Sequence, residues 1–499
     1  MSINDVTGPF GAPVPDSEVP QQLRADELNL FDATAVAVSS VAPAYSIAST
    51  MTAVFVIAGI GLAAPSVLLV SFVPVLFIAL AYFHLNRRNP NCGASYSWLS
   101  QIVSPGVGWV NGWIQVWTSV LFCTTAPLLA GGYTLQFLHT AFNAVSLSSV
   151  NNPKDVAVAA ALWLFVVVAI CVYGIRWTTN AQWVMVLIEY IAVVGFSIGG
   201  IIKVIISHPV HSLNFSFSWL NPMHIHGYSA LASGLALGVF FFWGWDTAMN
   251  LNEESKDSTR TPGRAGLISM WLLLFVFILN FVAAQMLLGS HAVASQGPEV
   301  LFYFGQQFAG KWASYVMIFA VLSSTVATTQ TTVLPAARIT YAMARDGVFP
   351  KLFATVHEKY KTPALGTVIV GLLSMFGISL TTFSNSSASV FNNLVANIGV
   401  LVAFYYGVTG LACAWAFRKT IGHNFKSNLT MIYLPFLGGA ILLFVCYQVI
   451  VSGGSTAIPD IIVLGSGIPL YLLMKLRIGK KVAYFKQPRI SYDTIDGLD

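Results

Sequence analysis

Charge is the scarcest property of this chain. Only 9% of its 499 residues are Asp, Glu, Lys or Arg, while 56% are hydrophobic. A water-soluble domain carries about 25% charged residues. So small a polar complement cannot cover a soluble surface of this size, which leaves a polytopic membrane protein. Cysteine is also sparse. Cys92, Cys123, Cys171, Cys413 and Cys446 have no paired spacing, and four of them lie in apolar runs. That argues against a disulfide framework and a zinc site, so no metal is expected. There is no Walker-type or dinucleotide loop, nucleophile–base pair or metal quartet. ATP-driven transport and membrane enzymology are therefore disfavoured, and no cofactor is implied. The first thirty residues lack a basic start followed by an apolar core, so no cleaved signal peptide is expected. The net charge of +5 sits in short loops rather than along one face, so nucleic acid is not an expected partner.

What the chain has in abundance is apolar runs near the 20 residues that cross a bilayer. Twelve spans are expected, at 33–57, 63–85, 106–138, 156–175, 179–206, 229–251, 264–289, 312–343, 364–383, 388–417, 430–451 and 456–476. Placing the N-terminus inside puts 21 of the 24 lysines and arginines in cytoplasmic segments and only Lys154, Lys203 and Lys311 outside. Cytoplasmic loops are rich in Lys and Arg, so both termini are expected in the cytoplasm of a multi-pass cell-membrane protein. The loop 208–227 holds His208, His211, His224 and His226. A metal or pH-sensing role fits it, and so does a merely solvated loop.

The stretch that organises the rest is FFFWGWDTAMNLNEESKDSTRT, residues 240–261. It sets Gly244 between Trp243 and Trp245, with Asp246 next, inside an apolar span. A carboxylate in hydrocarbon is expensive and faces protein, water or a pathway. Irregular backbone at that depth is tolerated where it lines a cavity. Span one carries a second interruption signal. Pro43 lacks an N–H and clashes with the preceding turn, and Ser39, Ser40 and Ser46 flank it. Paired interruptions at matching positions in two halves mark a transporter site between them. The residues at the breaks are Ser39, Ser40, Ala42, Pro43 and Ala44 in span one, and Phe242, Trp243, Gly244, Trp245 and Asp246 in span six. Asp246 either binds an ammonium group or pairs within span six. Phe242, Trp243 and Trp245 can wall the site and attract an amine by cation–π contact. Glu189 lies mid-membrane in span five, as a proton carrier, a partner for a substrate amine or a helix-bridging hydrogen bond. Ser323, Ser324 and Thr325 in span eight, and Asn393 and Asn397 in span ten, either line the cavity or bridge helices.

These blocks resemble the amino acid–polyamine–organocation permeases over essentially all twelve spans. Gly244-Trp-Asp246, Asn252-Glu-Glu-Ser-Lys-Asp257 and Pro262-Gly-Arg264 are similar to the family's G-F-D, E-E, N-P, P-R-A signature, with Asp257-Ser258 where N-P is usual. Arg338 to Pro350, RITYAMARDGVFP, is close to R-x-x-Y-A-M-A-R-D-G-x-x-P. Pro90-Asn-Cys-Gly-Ala-Ser-Tyr96 is similar to P-x-x-G-G-x-Y. The resemblance implies an all-α, LeuT-type 5+5 inverted repeat of twelve transmembrane helices, with helices 1 and 6 broken. It divides the chain into a tail at 1–32, a first repeat at 33–206, a second at 229–417, two more spans at 430–476 and a tail at 477–499. It also implies alternating access, with spans one, two, six and seven rocking against three, four, eight and nine, and Arg338 and Arg345 in cytoplasmic gating salt links. Where the family presents G-x-G at the first break, this chain has Ser40-Val-Ala-Pro-Ala44, without glycine and short of one amide. That turns the expectation from an α-amino acid toward an amine. Some relatives carry a lysine in span five where Glu189 stands here. The expected function is a secondary transporter for a small amino acid or organic amine, proton-coupled. An exchanger without proton coupling and a channel-like facilitator are the alternatives. The expected partners are the small-molecule substrate, a proton and the lipid bilayer.

Overall fold

A computed structural model describes residue 23 and residues 25–150, 152–173, 175–383, 387–421, 424–479, 481–486, 489–490 and 492. The expected N-terminal tail is therefore described only from residue 23, and Arg24 and Lys480 lie outside the described residues. In hydrocarbon every backbone N–H and C=O needs a partner within the protein, which a helix supplies. The described residues are accordingly helical, apart from loops and one isolated bridge between Leu28 and Ser255. The spans are α1 (Leu30–Val41) with α2 (Pro43–Phe55), α3 (Ala64–Arg88), α5 (Pro105–Phe142), α6 (Pro153–Tyr173) and α7 (Ile175–Ser207), with the short α4 (Ser95–Ile102) before α5. Then come α8 (Tyr228–Phe241) with α9 (Thr247–Asn250), α10 (Thr261–Leu288), the short α11 (Val300–Ala309), α12 (Lys311–Arg345), α13 (Ala364–Thr381), α14 (Ser387–Ala416), α15 (Leu434–Gly453) and α16 (Ile458–Ile478).

Among the described residues eleven spans are long and apolar enough to cross a membrane. The sixth expected span survives as the shorter helix α8, because its remainder is unwound. α1 starts on a reciprocal cap. The Asn29 side chain accepts from the Asp32 amide at 3.0 Å, and the Asp32 carboxylate accepts from the Asn29 amide at 3.2 Å. α5 has 38 residues and α12 has 35. At ~1.5 Å per residue α5 is roughly 57 Å long against a hydrocarbon core of about 30 Å, so it must tilt and protrude. α5 and α12 are buried along most of their length, and α16 runs on the periphery. Phe165, Leu187, Ile191, Phe376 and Leu476 are exposed on the outer surface, a belt suited to acyl chains rather than water. α14 and α15 cross at two glycines. A Cβ on Gly407 would lie 3.0 Å from the Gly439 carbonyl oxygen, and one on Gly439 would lie 2.7 Å from that of Gly407. Such backbone contact is how helices gain packing where lipid supplies no hydrophobic drive.

The bundle buries two long helices at its centre and sets the two interrupted spans beside them. The C-terminal ends of α3, α12, α14 and α16 carry Arg87, Arg88, Arg345, Arg418, Lys475 and Arg477, which makes one face of the protein basic.

Candidate functional site between the two broken spans

Span one gives up its helix at a single residue. α1 ends at Val41, and Ala42 takes the left-handed conformation at φ 50° while serving as C-cap of α1 and N-cap of α2. Pro43 follows at the first position of α2, where its missing N–H costs nothing. A break leaves orphan donors and acceptors, and in a membrane each needs a named partner. Each backbone amide here has one. The Ala42 amide bonds Val38 O at 3.0 Å and Ser46 N bonds Ala42 O at 2.9 Å. The Ala44 amide donates to Glu189 Oε1 at 2.6 Å, and the Tyr45 amide donates to Ser324 Oγ at 3.0 Å. Two of the acceptors are met too. Thr328 Oγ1 donates to Ser40 O at 2.6 Å, and Ser46 Oγ donates to Val41 O at 2.6 Å.

Span six gives up five residues, 242–246, between α8 and α9. Gly244 sits at φ 117°, a conformation that L side chains rarely adopt, and a Cβ there would lie 2.8 Å from the Ser40 carbonyl carbon and oxygen. The glycine thus lets the second break rest directly on the backbone of the first. Ser40 Oγ and Thr247 Oγ1 are 2.8 Å apart, a second link between the breaks. Asp246 is buried and accepts from Tyr406 at 2.8 Å and, more weakly, from Tyr405 at 3.4 Å. The Tyr405 hydroxyl in turn accepts from the Trp243 indole N–H. Each break is therefore served by a carboxylate, Glu189 reaching in from α7 and Asp246 belonging to the break itself.

Aromatic rings close one side of this junction. Phe122 of α5 packs edge-on against Tyr45 at 5.2 Å and Trp243 at 5.1 Å, with Phe240 at 6.2 Å. Toward the basic face a cavity of about 20 Å³ remains, lined by Ser40, Gln115, Ser119, Asp246, Asn250 and Thr332 among others. A water molecule needs roughly 10–15 Å³ of such space, so the junction is shut around little more than one water.

Below the cavity lies a polar floor. Arg338, 1% exposed, donates from Nε to Glu254 Oε2 at 2.7 Å, with a second approach at 2.5 Å. Arg345 grips Glu253 with two nitrogens at 3.0 and 3.1 Å, and the Cys92 amide donates to the same carboxylate at 2.9 Å. Burial raises the proton affinity of Glu253, but the Arg345 guanidinium outweighs it and holds the carboxyl below its usual range. Burial pushes Asp346 up to about 6, although Tyr96 donates to it at 2.8 Å. Asn252 ties the floor to the end of α3 and the loop after it, donating to Asn86 Oδ1 at 2.9 Å and Asn91 O at 3.0 Å. The segment before α1 is laced in as well: Glu27 and Leu28 amides donate to Glu254 O, and Lys256 N donates to Leu28 O at 2.7 Å.

The residues singled out from the sequence fall in several places. Ser40, Ala42, Pro43, Ala44, Trp243, Gly244 and Asp246 meet at the junction with Glu189 and Ser324. Ser39 is buried beside them, its hydroxyl without a partner among the described residues. Phe242 turns away to pack on Phe72 and Phe277, each at 5.5 Å. Trp245 packs on Tyr82 at 5.2 Å and Tyr406 at 5.6 Å, behind the Asp246 carboxylate. Ser323 and Thr325 bond carbonyls of their own helix, at Ala320 and Val321. Asn397 is buried on α14, while Asn393 is exposed. Arg338 and Arg345 sit in the floor. In the histidine-rich loop, His208, His211 and His224 are exposed; the His226 amide bonds Gly59 O at 2.8 Å. All five cysteines are buried thiols. Sequence reasoning missed Tyr405, Tyr406, Thr247, Thr328 and Phe122. Two adjacent tyrosines in mid-span ten were the available signal, since each phenol in hydrocarbon needs a partner.

Comparison with known proteins bears on these observations. A family model described as amino acid permease matches residues 28–473. The low-affinity putrescine importer PlaP of Escherichia coli is 27% identical over 400 residues, 75% of this chain and 78% of the importer. The human large neutral amino acids transporter small subunit 2 is 26% identical over 417 residues, 79% of this chain and 70% of that protein. The mouse Asc-type amino acid transporter 1 is 25% identical over 414 residues, 79% of this chain and 71% of that protein. These relatives are transporters, and they differ in what they carry.

Proposed function

The chain belongs to the amino acid permease family, within the amino acid–polyamine–organocation group with its LeuT-type fold, and on that footing we propose that it is a secondary active transporter for a small amino acid or organic amine. The observation that carries the reading is the meeting of the two breaks, with Gly244 seated on the Ser40 backbone and a carboxylate at each. A site formed this way at the midplane can be opened to either side by moving one group of helices against the other. Spans one, two, six and seven, within repeats at 33–206 and 229–417, move against three, four, eight and nine. The aromatic cluster at Phe122 is the lid on one side, and the Arg338–Glu254 and Arg345–Glu253 pairs are the gate on the other.

The distribution of 21 basic residues against three supports a cytoplasmic basic face and cytoplasmic termini in the cell membrane. Glu189 is the proton carrier. It is fully buried, and its Oε2 has no partner among the described residues, so a proton can be carried there. The substrate occupies the junction against Ser40, Trp243, Gly244 and Asp246 once the gate opens. The test is uptake of amines and amino acids by proteoliposomes with and without an inward proton gradient. Gradient-stimulated uptake whose pH dependence disappears in Glu189→Gln is the expected result. Uptake that needs internal substrate but no gradient would mean exchange instead, and unsaturable flux would mean a facilitator.

A further inference from the structure

We infer that the protein selects against carboxylates, so that its substrates are organic ammonium ions lacking a carboxyl group, because the half-helix N-terminus that would receive a substrate carboxylate is already occupied by Glu189 and Ser324. This inference rests on the transport reading above and narrows its substrate class.

The argument is an accounting of donors. A helix N-terminus binds an anion through its unpaired amides. At the start of α2 the possible donors are the amides of Ala42, Ala44, Tyr45 and Ser46, Pro43 having none. Ala42 and Ser46 bond within the chain, to Val38 O and Ala42 O. Ala44 is taken by Glu189 Oε1 and Tyr45 by Ser324 Oγ. Ser324 Oγ also donates to Glu189 Oε1 at 2.8 Å, so serine and glutamate form one plug across both amides. No amide at the start of α2 is left for an incoming carboxylate. The plug is not loose, since Glu189 and Ser324 are both fully buried.

The other break is no better for an anion. Its unwound segment carries Asp246, with the Tyr406 and Tyr405 hydroxyls already turned on that carboxylate. The residues lining the small cavity include Asp246 and no lysine, arginine or histidine. The nearest guanidinium described below it, Arg338, is bound to Glu254. Glu189 also keeps a second oxygen, Oε2, without a partner among the described residues. The junction thus offers acceptors and aromatic faces, while the amides at the start of α2 are engaged and no cationic side chain lines the cavity. An ammonium group matches both features, the acceptors by hydrogen bonding and Trp243 by cation–π attraction. An α-amino acid brings the same ammonium plus an anion that would find the α2 amides taken and the Asp246 carboxylate facing it. Like charges brought together out of water are strongly disfavoured, so the discrimination expected is about a hundredfold or more.

The test uses pairs that differ only by the carboxyl group: ethanolamine against serine, putrescine against ornithine, and isobutylamine against valine. Each is added as a competitor or as a labelled substrate to proteoliposomes holding the full-length protein, and thermal shift in detergent reports binding independently. The expected result is that at least one amine is bound and carried and that its carboxylated counterpart competes about a hundredfold more weakly. Glu189→Ala frees the Ala44 amide and Ser324→Ala frees that of Tyr45. Each is expected to shrink the ratio within the pair by at least about tenfold, the first more than the second. An amino acid bound as tightly as its amine in the native protein overturns the inference while leaving transport intact. A hundredfold preference that survives Glu189→Ala unchanged overturns its assignment to the plug. No binding or uptake of any member of any pair, by protein that unfolds cooperatively, counts against the transport reading and takes the inference with it.

Discussion

The two interrupted spans solve one problem differently. Span one loses a single residue of helix, at Ala42, and hands its loose amides to groups from α7 and α12. Span six loses five residues, holds its own carboxylate and takes partners from α14. A short break satisfied from outside is a pre-formed surface. A long break that contains its own charge can change shape. The difference continues into the floor, where Glu253 and Glu254 trail directly from span six. Span one reaches that level through the backbone of Glu27 and Leu28 just before it. In the proposed motion span six is thus the element whose movement would break the gate, since the partners of Glu253 and Glu254 belong to α12.

The largest expected effect comes from Gly244→Ala. It places a Cβ 2.8 Å from the Ser40 backbone at φ 117°. Clash and strain together are expected to cost roughly 3 kcal/mol or more. Thermal unfolding in detergent and uptake in liposomes both read it, and a variant that keeps full uptake would break the comparison at its root. Next is Asp246→Asn, which keeps the shape and removes the charge that two tyrosines address. Hydrogen bonds to a charged group are worth about 1.5–3 kcal/mol, so substrate affinity should fall roughly tenfold to a hundredfold. An unchanged affinity would mean that the charge of span six is structural only.

A smaller effect is expected in the floor. Cys92 is buried against the Arg345–Glu253 pair, so its labelling by a maleimide reports an open gate. Arg345→Ala should raise the labelling rate about tenfold, equivalent to ~1.4 kcal/mol of gate stability. The pH dependence has a sign. Glu253 is lowered, so its link is in force above the ordinary carboxylate range and is lost only as pH falls through its depressed value. Asp346 is raised, so its contribution is full below the ordinary value and is lost as pH rises through about 6. Acidification from pH 7 to 5.5 should therefore not open the native floor, and a rise in Cys92 labelling over that range would say otherwise. The smallest effect is Ala42→Gly. Relieving a left-handed alanine at φ 50° should stabilise the protein by about 1 kcal/mol. A large loss instead would show that this residue's side chain supports the break.

Much of the architecture was legible because hydrophobic length reports a bilayer crossing directly. Pro43 and Gly244 were legible for a related reason, since each breaks a backbone rule that an apolar helix must otherwise obey. Glu189 and Asp246 stood out because a carboxylate in hydrocarbon demands an explanation. The partners of those groups were not legible. Glu189 meets Ala44 across 145 residues, and Arg338 meets Glu254 across 84, distances over which spacing says nothing about contact. Facing was lost as well. Once the helical period stops at Phe241, nothing in the sequence tells which of Phe242, Trp243 and Trp245 points inward. Of the three, Trp243 is the one that packs on Phe122.

The most direct test of the central claim, that the two breaks meet at one depth, is a disulfide between Ser40→Cys and Thr247→Cys, whose native hydroxyl oxygens lie 2.8 Å apart. Under mild oxidation the pair is expected to cross-link in the folded protein, as read by mass spectrometry of the linked peptides, and to stop uptake until a reductant is added. Folded protein in which that bond never forms would contradict the claim, and a bond that forms while uptake continues unchanged would move the substrate away from the junction.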